Sequence, residues 1–140
     1  MQKKYKVCLV VADYYNSISN NLYKEAVSEL NKSKKFKFKH TKIYVPGVFE
    51  IPTVISKLIN KYDGFISLGC VIKGKTPHFD FISKTAMEGI MKLSINYKKP
   101  ITNGIITCLN KNQAIERSNT NTKNKGREAA IALIRIINIK

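Results

Sequence analysis

Four segments of strand length recur along the chain, and patterns of helical period separate them. Residues 7–12 and 64–72 are apolar runs, residues 36–45 alternate between apolar and polar positions, and residues 101–109 form the fourth segment. After the first run, Ile18, Leu22, Ala26 and Leu30 occupy every fourth position, which predicts a helix with one buried stripe. Further helices are predicted over residues 49–62, 77–97, 112–118 and 124–140.

This alternation predicts one domain, residues 1–140, with a parallel four-stranded sheet and helices on both faces. Ligands of such folds bind at the carboxyl ends of the strands. The segments that follow the predicted strands are therefore the ones to search for chemistry: residues 12–16, 45–50, 70–78 and 107–110.

The last predicted helix is apolar around nearly its whole circumference. Its run AAIALIRIINI, residues 129–139, is relieved mainly by Arg135 and Asn138. A helix that buries one face only should carry a polar stripe, so this pattern predicts that the helix packs against another subunit.

The formal net charge of +16 raises the question of a nucleic-acid ligand. Of the 25 basic residues, 22 are lysine and three are arginine, and they are scattered along the chain rather than gathered on one predicted element. A general enrichment in lysine, asparagine and isoleucine accounts for the charge equally well. We therefore expect no nucleic-acid partner, and anionic small molecules are at least as compatible with the charge.

No apolar run approaches the roughly 18 residues that cross a bilayer. The first residues are basic and then apolar, but they lead into Asp13 without a small-residue cleavage site, which favours a strand over a signal peptide. We therefore expect a cytoplasmic protein without a membrane partner.

The three cysteines, Cys8, Cys70 and Cys108, all lie in apolar runs. No Cys-x-x-Cys or Cys/His spacing suggests a metal site. The pattern is typical of buried free thiols in a reducing compartment. A catalytic Cys70 is the alternative, because this residue lies near the end of a predicted strand.

His78 lies in the stretch GKTPHFD, which has the features of a helix start. Thr76 suits an N-cap, Pro77 the first helical position, and Asp80 the positive end of the helix dipole. A helix N-terminus also favours an anion, and Lys75 would strengthen such a site. The local sequence slightly favours an ordinary capped helix with a solvent-facing histidine over a catalytic role.

Other candidates follow the remaining strands. Glu50 and the backbone of residues 47–49 could hydrogen-bond a polar heterocycle, and an aromatic ring at Tyr14 or Tyr15 could stack on it. Arg117 could clamp a phosphate, with Lys125 on the other side of the polar segment 119–123. Each of these residues also has an ordinary structural explanation.

The order of the motifs is more specific than any one of them. PGVFEIP, LGCVIKGKTPHFD, NGIIT and QAIERS followed by NKGREAA occur here in the order and spacing of the lumazine synthases. The chain resembles that family over essentially its whole length. The resemblance implies a flavodoxin-like three-layer α/β/α sandwich with a four-stranded parallel sheet.

The resemblance also implies a reaction and an assembly. Lumazine synthases condense 5-amino-6-(D-ribitylamino)uracil with 3,4-dihydroxy-2-butanone 4-phosphate to give 6,7-dimethyl-8-ribityllumazine, phosphate and water, the penultimate step of riboflavin biosynthesis. They form pentamers, decamers or capsids of twelve pentamers, with active sites between neighbouring subunits. The chemistry consists of proton transfers and dehydrations, so no cofactor and no metal is expected. Riboflavin synthase is a candidate partner.

Carried over residue by residue, the resemblance makes His78 the residue that transfers protons. It implies a phosphate site of Lys75, Thr76 and Arg117, and a pyrimidine and ribityl site of Tyr14, Val48, Phe49, Glu50, Cys70, Val71, Ile72 and Asn103. Asn103, Arg117 and Lys125 are expected to come from the adjacent subunit.

The chain departs from the common family pattern at several positions. Asp13 stands where many members have arginine, Tyr14 where phenylalanine is usual, and Asn103 where an aromatic is frequent. The segment that contains Asn119 and Asn121 lacks the usual glycines and lysine. A competing hypothesis is a flavodoxin-like binding module for FMN, a phosphorylated signal or RNA, but the segment after the first strand has no glycine-rich phosphate loop.

Overall fold

A computed structural model describes residues 2–121 and 123–139 of the protein. Its strands are β1 (Lys3–Ala12), β2 (Phe36–Val45), β3 (Gly64–Ile72) and β4 (Ile101–Cys108). Its helices are α1 (Asn16–Lys32), α2 (Ile51–Leu58), α3 (His78–Tyr97), α4 (Lys111–Arg117) and α5 (Lys125–Asn138). A short 3-10 turn, Val48–Glu50, precedes α2.

The four strands form one sheet in the order β2-β1-β3-β4, and every pair is parallel. One core, on the face covered by α1 and α5, contains Leu9, Leu22, Ile66 and Leu133. The other core, on the face covered by α2 and α3, contains Val10, Ile55, Phe65 and Ile90. The predicted three-layer α/β/α architecture is thus confirmed.

The sequence pattern placed most elements correctly. The fourfold stripe Ile18, Leu22, Ala26 and Leu30 is buried along α1. In β2, Phe36 and Phe38 are buried while Lys37 and Lys39 between them are exposed, as its alternation predicts. All three cysteines are free and buried.

The single helix predicted over residues 49–62 is wrong in its extent. The chain first makes the 3-10 turn, in which the Glu50 N–H donates to the Gly47 carbonyl at 3.2 Å. Helix α2 then begins at Ile51, with Pro52 in its first turn, where the missing N–H costs no hydrogen bond. It ends at Leu58, and the following residues lead to the start of β3 beside β1. There the Lys6 N–H donates to Asp63 Oδ2 and the Asp63 N–H donates to the Lys6 carbonyl, each at 2.7 Å.

Other boundaries shift by smaller amounts. Strand β1 begins at Lys3, four residues before its apolar run, because it pairs with β2 along its whole length. Helix α3 begins at His78 with Pro77 as its N-cap residue, and the predicted N-cap, Thr76, lies just outside it.

Helix α5 buries Gly126, Ala129, Ala130 and Leu133 against α1 and the sheet, while Ile131 and Ile136 remain exposed. The prediction that this helix contacts another subunit stays a prediction. Within the described residues, no helix has the length and apolar character needed to cross a membrane.

Helices α1 and α5 cross in direct backbone contact at Gly126. A Cβ atom on this residue would lie 2.1 Å from the carbonyl oxygen of Leu22. Because the obstructing atom belongs to the backbone, a side chain could not be accommodated by a rotamer change.

We therefore expect Gly126→Ala to lower the free energy of unfolding by about 3 kcal/mol, through forced separation of the two helices. Urea denaturation followed by circular dichroism measures this change. Gly74→Ala is the matched control, since a Cβ atom there would meet nothing within 4 Å. Equal stability of the two variants would contradict the close crossing.

Candidate active site

A cleft of about 470 Å³ lies at the carboxyl ends of the strands. Its wall is formed by residues that follow β1 and β2, by the end of β3 and by the first turn of α3. They are Tyr14, Tyr15, Gly47, Val48, Phe49, Glu50, Cys70, Val71, Ile72, His78 and Ile82. Most of the residues predicted for the pyrimidine and ribityl site, together with His78, therefore meet in one place.

The parallel pairing of the sheet determines which segments meet in this cleft. Ala12 at the end of β1 pairs with Val45 at the end of β2, and the Asp13 N–H donates to the Val45 carbonyl at 3.0 Å. Tyr14 and the 3-10 turn consequently leave the sheet side by side.

Gly69 allows the 3-10 turn to sit directly on the sheet. A Cβ atom on Gly69 would lie 2.8 Å from Val48 Cγ2 and 3.0 Å from the Ala12 Cβ. Val48 is buried against this bare stretch of β3, while Phe49 remains 53% exposed and lines the cleft. The turn thereby places Phe49 and Glu50 in the wall of the cleft.

His78 is exposed at the start of α3 and lines the cleft. Its backbone N–H donates to Thr76 Oγ1 at 3.4 Å, so the threonine contacts the helix start although it is not the N-cap residue. Ala86 and Ile90 anchor the helix in the core. The imidazole is thus carried by a long helix and faces both the cleft and solvent, an arrangement suited to proton transfer.

Tyr14 projects over the cleft and is 76% exposed. Its ring contacts the Tyr15 ring edge-on, with centroids 4.9 Å apart and planes at 81°. Tyr15 itself packs against the core, and burial, followed by the neighbouring Tyr14, raises its pKa. The inner tyrosine thus supports the outer one, whose face stays open for stacking.

Three further residues line the cleft: Gly47, Tyr15 and Ile82. The backbone at Gly47 and the ring of Tyr15 were candidates from the local sequence, but the family resemblance assigned neither of them a role. Ile82 had a usable signal, since it follows His78 by four positions on the same helix and therefore shares its face.

Cys70 forms part of the cleft wall and is 6% exposed. Burial raises the pKa of its thiol to about 12, and the neighbouring Cys108 acts in the same direction. The reactive thiolate is therefore scarcely populated at neutral pH. Of the two interpretations of Cys70, the structure favours a wall residue over a nucleophile.

Five of the predicted site residues do not line this cleft. Lys75 and Thr76 are exposed in the segment directly before α3, close to His78 in sequence. Asn103 is exposed on the edge strand β4, where its Oδ1 accepts a hydrogen bond from the Ile105 N–H at 2.9 Å. Arg117 ends α4, and its Nη1 donates to the Thr107 carbonyl at 3.0 Å. Lys125 begins α5.

No group of three or more histidine, cysteine, aspartate or glutamate residues within positions 2–121 and 123–139 is arranged to hold a metal ion. The chemical groups gathered at the cleft are one imidazole, one carboxylate, aromatic rings and strand-end backbone. Such a set suits a planar polar heterocycle and acid–base chemistry.

Comparison with known proteins identifies the family of the chain. The family model for 6,7-dimethyl-8-ribityllumazine synthase matches residues 4–140. The chain belongs to the lumazine synthase family. The lumazine synthase of Buchnera aphidicola from Schizaphis graminum is 41% identical over 140 residues, which cover 98% of this chain and 88% of that protein.

Two further lumazine synthases show a similar likeness. The one from Bartonella tribocorum is 41% identical over 143 residues, covering 100% of this chain and 93% of that protein. The one from Wigglesworthia glossinidia brevipalpis is 39% identical and covers 98% of this chain and 91% of that protein. The family resemblance identified from the motifs is therefore confirmed.

The position of Cys70 leads to a prediction about its chemistry. We expect Cys70→Ala to keep kcat for lumazine formation within about twofold, because a neutral buried thiol makes no bond to substrate. Steady-state kinetics measure this, and Cys108→Ala, another buried strand cysteine, is the matched control. Loss of activity in Cys70→Ala alone would restore the nucleophile hypothesis.

Proposed function

We propose that the protein is a lumazine synthase, a transferase that joins 5-amino-6-(D-ribitylamino)uracil to 3,4-dihydroxy-2-butanone 4-phosphate. The product is 6,7-dimethyl-8-ribityllumazine, released with phosphate and water. The observation that carries the proposal is the cleft, where the ring-site residues named by the family resemblance meet His78. Family membership over residues 4–140 supports it.

The pyrimidine would lie between the exposed face of Tyr14 and the strand end formed by residues 70–72. Stacking on an aromatic face and hydrogen bonds to strand-end backbone together fix the plane and the rotation of such a ring. Phe49 and Glu50, on the 3-10 turn, would hold the ribityl chain. These roles are supported by the position of each residue in the wall of the cleft.

His78 would transfer protons as the amine attacks the ketone, as phosphate leaves and as the second nitrogen closes the ring. An imidazole can both accept and donate a proton near neutral pH, and general acid–base catalysis by such a group contributes about 10²-fold or more. Holding two substrates in register contributes further, since effective molarities can reach roughly 10⁵ M. Exposure of His78 at the cleft supports this role.

The phosphate group would be bound by Lys75, Thr76 and the Arg117 of a neighbouring subunit. Asn103 and Lys125 would also come from that neighbour. Two observations support this division: Lys75 and Thr76 lie just before His78 in the chain, whereas Asn103, Arg117 and Lys125 lie on β4, α4 and α5, and none of these three lines the cleft of its own chain. One chain then carries two half-sites that only a second chain completes.

Exposed apolar side chains support an oligomer. Phe81, Met91 and Ile95 on α3 are each more than half exposed, and Ile131 and Ile136 on α5 are also accessible. Large apolar side chains in such numbers on two helices are typical of surfaces that pack against another subunit. We therefore propose a homopentamer, or an assembly of pentamers, with head-to-tail contacts that repeat around a ring.

The remaining parts of the proposal rest on fewer observations. The 140 residues would act as one domain, since one sheet joins the two cores. A cytoplasmic location agrees with three buried free cysteines, which are typical of a reducing compartment. Riboflavin synthase as a partner is supported by the family resemblance alone.

The purified protein, mixed with the two substrates, should generate the lumazine chromophore. His78→Ala should lower kcat by about 10²-fold because it removes the proton-transfer group, and it should leave pyrimidine binding nearly unchanged. His40→Ala, at the other histidine of the chain, is the matched control, since His40 lies on β2 away from the cleft.

The outcomes of this experiment separate the competing functions. Absence of the chromophore with the wild-type protein would favour the binding-module hypothesis. Chromophore formation at equal rates by wild type and His78→Ala would leave the enzyme in place but would remove His78 from its mechanism.

Shared active sites predict complementation between two inactive variants. His78→Ala and Arg117→Ala, each weakly active alone, should regain activity when they are unfolded together and reassembled in equal amounts. In a random ring, about one quarter of the interfaces would join an intact His78 to an intact Arg117. Initial rates before and after co-assembly measure the recovery, and reassembly of each variant alone is the control. A mixture no more active than its components would place both residues in the same chain's site.

A further inference from the structure

The polar segment between α4 and α5 is closed by two buried residues at its ends. Ser118 and Asn124 are each 1% exposed, and their backbones form an antiparallel bridge. The Asn124 Nδ2 donates to the Ser118 carbonyl at 3.0 Å and to the Asn21 carbonyl on α1 at 3.3 Å. Its Oδ1 accepts from the Arg127 N–H at 3.0 Å and caps α5.

The bridge also brings two basic positions of the backbone near each other. Arg117 directly precedes Ser118, and Lys125 directly follows Asn124. Although they are separated in sequence and lie on different helices, both therefore flank one backbone bridge.

A second tie holds the segment from the side of α5. Arg127 Nη2 and Nε lie 2.5 Å and 3.2 Å from Glu25 Oε1 on α1. The same Nη2 donates to the Thr120 carbonyl at 2.7 Å. Arg127 thus joins the Glu25 carboxylate of α1 to the backbone at Thr120, which lies three residues after Arg117.

The surroundings distinguish this pair from an ordinary surface ion pair. The side chains of Glu25 and Arg127 are 21% and 26% exposed, so both are partly withdrawn from solvent. Charge-assisted hydrogen bonds are shorter and stronger than neutral ones, whereas fully exposed ion pairs contribute little. The sequence of residues 118–124 contains no glycine.

We propose that the Glu25–Arg127 pair is a positioning element for phosphate binding: it holds the backbone after Arg117 at Thr120, and thereby the part of the chain that carries Arg117 at one end and Lys125 at the other. This inference rests on the proposed function, in which Arg117 binds the butanone phosphate in the site of a neighbouring subunit and Lys125 contacts the same site. Neither Glu25 nor Arg127 lines the cleft, so the pair acts through the cations it positions.

Arg127→Ala and Glu25→Ala test the inference in the assembled enzyme. Misplacement of a binding group by about 1 Å can cost on the order of 10²-fold, and partial loosening should raise KM for the butanone phosphate about fivefold to tenfold. KM for the pyrimidine should change by less than about twofold.

Glu29→Ala is the matched control. Glu29 lies one turn further along α1, its side chain is also 21% exposed, and it pairs with Lys32 rather than with the segment. Its kinetics should equal those of the wild type. Arg127→Ala and Glu25→Ala that lose thermal stability yet keep the wild-type KM for the butanone phosphate would overturn the inference.

Reversal of the pair separates positioning from simple helix packing. In the double variant Glu25→Arg with Arg127→Glu, the ion pair between α1 and α5 can re-form, but residue 127 can no longer donate to the Thr120 carbonyl. We expect recovery of the melting temperature without recovery of the KM for the butanone phosphate. Full recovery of both would show that the pair only holds the helices together.

Hydrogen exchange gives a readout that needs no turnover. The amides of residues 118–121 should exchange faster in Arg127→Ala than in the wild type and in Glu29→Ala. If the wild type formed no lumazine, the proposed function would fail, while faster exchange would still support the hold on the segment. Unchanged amide exchange in Arg127→Ala would overturn the inference that Arg127 holds the segment, whether or not the enzyme is active.

Discussion

The parallel pairing of β1 with both β2 and β3 is the constraint on which the rest of the structure depends. Because the strands all run in one direction, each of them ends at the same edge of the sheet. Pairing of Ala12 with Val45 brings the chain out of β1 and β2 at the same level, while β3 continues to Ile72, four residues beyond Leu68, the partner of Val11. The cleft is the space that these exits leave between Tyr14, the 3-10 turn and the end of β3.

Close backbone contacts set the shape of that space. Gly69 lets the turn lie on β3, and Gly126 lets α5 lie on α1, so two layers of the fold approach more closely than side chains would permit. The first contact positions Phe49 and Glu50. The second holds the helix that begins with Lys125 and bears Arg127. Each half of the proposed site therefore depends on one glycine, Gly69 or Gly126, at which the methyl group of an alanine would not fit.

Charge is distributed unevenly between these two halves. The cleft itself is mainly aromatic and aliphatic. Its titratable side chains are Glu50 and His78, the two tyrosines and the buried Cys70. Arg117 and Lys125 lie beyond it, flanking the bridge between Ser118 and Asn124. In the proposed oligomer, the ring of one substrate would be bound by one subunit and the phosphate of the other substrate partly by the next. Such a division couples catalysis to assembly, because neither half-site can hold both substrates.

The part of the site that the sequence predicts lies at the ends of the strands and in the segments that directly follow them. Apolar runs indicated β1 and β3, since an uninterrupted row of buried side chains is the local signature of a parallel sheet, and alternation indicated β2. The positions of Val48 to Glu50, of residues 70–72 and of His78 followed from them. The helix over residues 49–62 was misjudged in extent because its apolar spacing suits both a continuous helix and a 3-10 turn followed by a shorter one. Docking of Val48 on Gly69 and the tie of Asp63 to Lys6 decide between these two, and both are contacts distant in sequence.

The sequence by itself determined the order of elements, the burial of α1 along one stripe, the free thiols and the family to which the chain belongs. The elements and the buried stripe depend on periodicity among residues near one another in the chain, and the family on motifs whose order can be read along the chain, so neither requires knowledge of tertiary contacts. Only the tertiary structure decided that Tyr15 supports Tyr14, that Cys70 is a neutral wall residue, and that Glu25 reaches Arg127. Those properties arise from contacts and burial between distant segments, which the spacing of residues along the chain does not encode.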